Sequence, residues 1–130
     1  MTAQRPFRIL APVLAAAAAA AVAGCGSQGI SVSKSDPTYR GAVLFAERCS
    51  GCHTISYAGT HGSKPKKEVN AKDRTNGPNF DQRHETTESV LTAIRQGGFS
   101  GAIMPGNIYV GKDAVAVAEF LNKYSGRHPK

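Results

Sequence analysis

The sequence predicts an all-α fold, with about three main helices and long loops wrapped around a group that is not itself polypeptide. Three observations carry this expectation. Three segments place apolar residues three and four positions apart between helix-starting and helix-ending residues, whereas no convincing pair of strands is visible. Of 130 residues, 14 are Gly and 7 are Pro, so much of the chain is irregular. Aromatic residues make up 7% and Trp is absent, so large core-filling side chains are scarce. The length suits one domain, which excludes a TIM barrel, a two-domain dehydrogenase and a multi-span transporter.

The N-terminal segment, residues 1–24, reads as an address. Arg5 and Arg8 precede an apolar run from Ile9 to Ala23. That run is shorter than the roughly 20 residues a membrane-spanning helix needs, and it matches the apolar region of a secretory signal. Its end, Val22-Ala23-Gly24-Cys25, resembles the processing box of bacterial lipoproteins. The resemblance implies cleavage before Cys25 and lipid on its sulfur. The other reading is an ordinary secretory signal followed by a chance cysteine. Residues 25–35, rich in Gly and Ser, are expected to be a flexible tether between lipid and domain. The domain itself is expected over 36–126, with a basic tail at 127–130.

The first helix is expected from Pro37 to Cys49, with Asp36 as its N-cap and Pro37 at the first helical position. Leu44 and Phe45 lie on one side, with Gly41 a turn earlier. The stretch Thr54 to Asn79 is long, polar and Gly-rich, and its structure is not predictable; a loop of that length in a small domain normally wraps something. A second helix is capped by Thr86 or Thr87, presents Val90, Leu91 and Ile94, and stops at Gly97-Gly98. Phe99 to Val110 is irregular. The third helix, Gly111 to Tyr124, carries a stripe of Val117, Phe120, Leu121 and Tyr124.

Chemistry concentrates in Cys49-Ser50-Gly51-Cys52-His53. C-x-x-C-H is the attachment pattern of c-type haem: two thiols on one turn can form thioethers along one porphyrin edge, and the adjacent imidazole can then reach the iron. Three rival readings are weaker. A zinc ribbon needs a second ligand pair, and the chain has only 3 Cys. A thioredoxin-like pair needs a βαβ context. A disulfide spanning two residues would be strained and reducible. With Cys25 lipidated and Cys49 and Cys52 joined to haem, no thiol is left over.

From these residues onward, about Pro37 to Ser125, the sequence resembles the class I cytochromes c, small mono-haem electron carriers. The resemblance implies the small cytochrome c fold, in which Gly41 and Phe45 face Phe120, Leu121 and Tyr124 between the first and last helices. It implies His53 and Met104 as the two iron ligands, Met104 lying in the Met104-Pro105 pair. A thioether ligand is soft and raises the reduction potential; outside such a context Met is more often a gap-filler. In Gly77-Pro78-Asn79-Phe80 the resemblance implies that the Pro78 carbonyl accepts from the other nitrogen of His53, and that Phe80 packs on the haem. By residues alone, Gly-Pro is only a turn signal. His61, His84 and His128 are rivals of Met104, with His61 the most credible.

The chain carries 16 Lys and Arg against 9 Asp and Glu. The excess gathers at Lys64, Lys66, Lys67, Lys72 and Arg74. Nucleic acid is disfavoured, because the chain is read as exported and the charges follow no helix face. A solvated loop and a docking surface for acidic redox partners explain the run equally well. The expected function is one-electron transfer by a lipid-anchored, monomeric haem c protein between respiratory or other redox complexes, with no catalytic residues. The alternatives are a peroxidase-like enzyme and a gas or redox sensor, both requiring an open sixth iron position.

Overall fold

Two helices cross in this molecule at a distance that only glycine permits. In the computed structural model, which describes residues 29–62, 77–98 and 104–130, helix α1 (Tyr39–Arg48) packs on the last helix, α3 (Gly111–Tyr124). A Cβ on Gly41 would lie 2.1 Å from the Ala116 carbonyl oxygen and 2.7 Å from Phe120 Cβ. The bare Gly41 backbone therefore lets α1 sink onto α3. Below that crossing Phe45 and Phe120 meet with ring centroids 5.9 Å apart, both essentially inaccessible to water. Burial of such side chains is the main favourable term in a domain this small, about 1.5–3 kcal/mol each. Helix α2 (Thr87–Gln96) adds Val90 and Ile94 to the same core by packing on α3.

The helix ends follow local chemistry. The Thr86 side chain accepts from the Ser89 N–H at 3.2 Å, and Gly97 ends α2 in the left-handed region at φ 83°. Helix α3 spans the predicted residues, and its predicted stripe is the face turned inward, with Tyr124 at its half-buried end.

Helix α1 begins two residues later than expected. Asp36 is not its N-cap; Thr38 holds that position and makes no side-chain cap bond. The Asp36 carboxylate is committed elsewhere. Its Oδ1 accepts from Thr38 N–H (2.9 Å) and Thr38 Oγ1 (2.7 Å), and its Oδ2 accepts from Lys123 Nζ (2.7 Å) and Tyr124 Oη (2.6 Å). One carboxylate thus ties the entry of α1 to the end of α3. Lys123 first, then Tyr124 and Thr38, hold its pKa well below the ordinary carboxylate range. On the other side of the crossing Arg40 pairs with Asp113 at 2.8 Å.

The segment after the Cys-His turn contains a short strand pair, contrary to the sequence reading. Strands β1 (Thr54–Ile55) and β2 (Thr60–His61) pair antiparallel, with Thr54 opposite His61 and Ile55 opposite Thr60, around a 3₁₀ turn at Ser56–Ala58. Two residues per strand are too few to leave an alternating pattern. Residues 63–76, which hold the basic run, lie outside the described residues, as do Cys25 and the signal segment. The stretch expected as a tether is docked from Gly29 onward: Ser31 N–H donates to Tyr57 O at 2.9 Å, and Val32 is buried.

Candidate functional site

The Cys-His turn grows directly out of α1. Cys49 is the C-cap, its N–H donating to Phe45 O at 2.8 Å. The next turn closes on the same residue: Cys52 and His53 N–H groups both donate to Cys49 O, at 3.2 and 2.9 Å. The two cysteines are not joined to each other; Cys49 is buried and Cys52 exposed. Burial, reinforced by the charge of Cys52, pushes the Cys49 thiol up to about 12. A thiol held neutral in this way is a poor ligand for a bare metal ion. Among the described residues no three His, Cys, Asp or Glu side chains converge on a common point.

His53 is held on three sides. Its Nδ1–H donates to the Pro78 carbonyl at 3.2 Å, which fixes the tautomer and leaves the Nε2 lone pair free. Its ring lies nearly parallel to that of Phe80, 5.0 Å between centroids and 17° between planes. Gly77 closes the third side: a Cβ there would stand 2.3 Å from Cε1 and 2.6 Å from Nδ1. The Gly77 N–H donates to Cys52 O at 2.8 Å, and Phe80 N–H to Thr54 O at 2.8 Å, so the 77–80 segment is laced to the turn at both ends. Burial depresses the His53 pKa, and the Pro78 hydrogen bond opposes this only in part, so the neutral ligating form is favoured. The Phe80 ring meets Phe45 edge-on at 5.9 Å, which links the site to the helix crossing.

Met104 is half-buried and packs against the core. Its carbonyl faces the end of α2, where a Cβ on Gly97 would come within 2.6 Å of it. Asn107 N–H then donates to Ile94 O at 2.7 Å, anchoring the Met104 segment to α2. Of its rivals, His84 Nε2 bonds Asn122 O at 3.2 Å, while His128 is largely exposed with Nδ1 4.0 Å from Asp81 Oδ2. His61 is half-buried in β2.

The sequence gives no weight to Gly77 beyond a turn, to Tyr109 or to Asp81. Tyr109 is buried, donates from Oη to Leu44 O at 2.8 Å and carries the Arg48 guanidinium 5.3 Å from its ring centroid. The Gly-Pro pair was the available signal for Gly77; neither Tyr109 nor Asp81 stands in any motif. A groove of about 230 Å³ lined by Leu91, Arg95, Tyr109 and Val115 includes none of the predicted site residues.

Two thiols on one turn, beside an imidazole whose outer nitrogen is anchored, form a donor set for which one family is specialised. The cytochrome c family model matches residues 39–125, from the start of α1 to the end of α3. The chain belongs to the cytochrome c family. It is similar to the c-type cytochrome SorU from Sinorhizobium meliloti, whose crystal structure it matches at 29% identity and a TM-score of 0.51. The match covers 69% of this chain and 92% of that one. Among curated proteins no relative matches.

Cytochrome c domains bind haem c covalently, and this site fits that group. The free pair Cys49 and Cys52 would supply two sulfurs, and with Nδ1 bonded to Pro78, Nε2 is the nitrogen of His53 left to meet a metal. As a member of this cytochrome family the chain is a haem-based electron carrier.

Proposed function

We propose that this cytochrome is a one-electron carrier with His53 and Met104 as iron ligands, anchored to a bacterial membrane through lipid on Cys25. The observation that carries the reading is the hydrogen bond from His53 Nδ1 to Pro78 O at 3.2 Å. It holds the imidazole in one tautomer and one orientation at the residue that follows the two thiols. When bound, haem supplies a metal centre that gains and loses one electron. Cys49 and Cys52 hold it through two thioethers, and His53 presents Nε2 with little freedom to rotate. Such a fixed ligand keeps reorganisation small between oxidation states. The engagement of His84 with Asn122 supports Met104 as the sixth ligand.

The remaining assignments follow the sequence. Cytochrome c domains are typically exported proteins, and among the described residues no helix is long and apolar enough to cross a membrane. Anchoring is assigned to Cys25 on the Val22-Ala23-Gly24-Cys25 sequence, which resembles a lipoprotein processing box. The basic residues Lys64 to Arg74 steer the monomer to redox proteins with acidic docking patches, so electron transfer to the natural partner slows as salt rises. No nucleic acid is involved.

The test is a spectrum of the protein matured in a host that attaches haem c. Pigment that survives denaturation and acid–solvent extraction establishes thioether attachment. A low-spin ferric spectrum with the weak near-infrared sulfur-to-iron band establishes Met104. High-spin iron that binds carbon monoxide rapidly replaces the carrier reading with the enzyme or sensor.

A further inference from the structure

Asp81 is a buried carboxylate that electron carrying by itself does not explain. It is 8% exposed and directly follows Phe80, the ring stacked on His53. Its Oδ1 accepts from Ser56 N–H at 2.7 Å and its Oδ2 from Ser56 Oγ–H at 2.6 Å. Its own N–H donates to Asn79 Oδ1 at 3.0 Å. The turn is pinned from the other side, where Gly126 N–H donates to Phe80 O at 2.7 Å. The carboxylate is therefore fixed in place beside the segment that cradles the imidazole.

Its charge is poorly compensated. Among the described residues no Lys or Arg forms an ion pair with Asp81. Arg83, two residues on, pairs with Glu85 instead. The facing groups are the Ser56 hydroxyl and the imidazole of His128, whose Nδ1 lies 4.0 Å from Oδ2 and whose side chain is 68% exposed. Tyr57 contributes only a neutral hydroxyl, which donates to His128 O at 3.1 Å. A buried charge that is hydrogen-bonded but not neutralised projects its field through protein, where screening is weak.

We propose that Asp81 sets the reduction potential, its fixed negative charge favouring the ferric state and holding the potential down. Oxidised haem carries one more positive charge than reduced haem, so an anion fixed near the proximal ligand stabilises the oxidised form. As a general scale, a fixed unit charge on the order of 10 Å from a redox centre, in an effective dielectric of about 20, changes the one-electron equilibrium roughly tenfold. This inference rests on the carrier reading above, because it requires haem on the His53 side.

The experiment is a potential titration of holoprotein variants. Asp81→Asn keeps the shape and the acceptor oxygen but removes the charge. It is expected to raise the one-electron equilibrium constant for reduction about tenfold, or about 59 mV, with the absorption spectrum unchanged. Asp81→Glu retains the charge and Ser56→Ala removes one hydrogen bond without altering it; both are expected to stay within about threefold of the parent. Covalent haem with an unmoved potential in D81N overturns the inference and leaves the carrier reading standing. So does a shift in S56A as large as that in D81N, which would assign the effect to hydrogen bonding. Where D81N does not accumulate as holoprotein, His128→Lys on the exposed tail sets a permanent cation beside the same carboxylate. It raises the potential if the proposal holds, and an unmoved potential there overturns it. Absence of covalent haem in the parent protein sinks both readings together.

Discussion

Gly77 lies against the imidazole of His53 so closely that a Cβ would stand 2.3 Å from Cε1. The ring has nowhere to retreat, since Phe80 is stacked on it and Pro78 holds its Nδ1. Gly77→Ala must therefore displace the ring or the 77–80 backbone. Overpacking of this kind costs about 1–3 kcal/mol. We expect a lower yield of holoprotein and a Tm lower by several degrees, read by haem absorbance and thermal denaturation. A variant as stable and as well loaded as the parent would contradict the cradle.

The helix crossing makes a parallel prediction away from the site. Gly41→Ala drives a Cβ to 2.1 Å from the Ala116 carbonyl oxygen, a backbone atom that cannot swing aside. The helices must separate and loosen the Phe45–Phe120 contact. A loss of about 3 kcal/mol or more is expected in denaturant unfolding, at the upper end of overpacking costs.

Acid should act through Asp36. Its folded pKa is depressed by Lys123, Tyr124 and Thr38, so the unfolded chain binds the proton more readily than the folded one. The resulting stability is fully present above the unfolded value of about 3.9 and is lost as pH falls toward the folded value. Asp36→Asn should lower stability most at pH 7 and clearly less at about pH 2, where only part of the carboxylate's contribution remains. Equal penalties at both pH values would show that the carboxylate's charge is irrelevant. The carboxylate is half-buried but its Lys123 partner is exposed, so the effect weakens in high salt.

Met104→Ala removes the soft ligand assigned to the iron. The reduction potential should fall substantially, and the near-infrared band should vanish. A potential equal to that of the parent would take Met104 off the ligand set and bring His61 forward.

Cys25→Ser should leave haem attachment intact and move the protein from the membrane fraction to the soluble one. A single lost anchor suffices for this because stable attachment depends on the acyl chains, each buried CH₂ contributing about 0.8 kcal/mol. Persistent membrane association of that variant would refute the lipid anchor.

What could be read from the chain, and what could not, follows from the range of the forces involved. Helix α3 and the ends of α2 were legible because their signals are local: a 3–4 spaced stripe, Thr86 before the helix and Gly97 after it. The Cys-His turn was legible as a motif. The start of α1 was misjudged because Asp36, a good local N-cap, is captured by Lys123 and Tyr124 from the far end of the chain. The β1–β2 pair is too short to show a period. The docking of Ser31 on Tyr57 and the two hydrogen bonds from Ser56 to Asp81 also join residues far apart in sequence, and no pattern of spacing announces them. Gly77 stood in view, but only the imidazole beside it explains why a side chain is excluded there.

The pairing of α1 with α3 has a consequence for how the molecule is made. The two helices come from opposite ends of the domain, so the fold is a ring of chain whose clasp is its last segment. Until the last helix is made, the first has no partner for Gly41 and Phe45, so the core closes only when the whole domain is present.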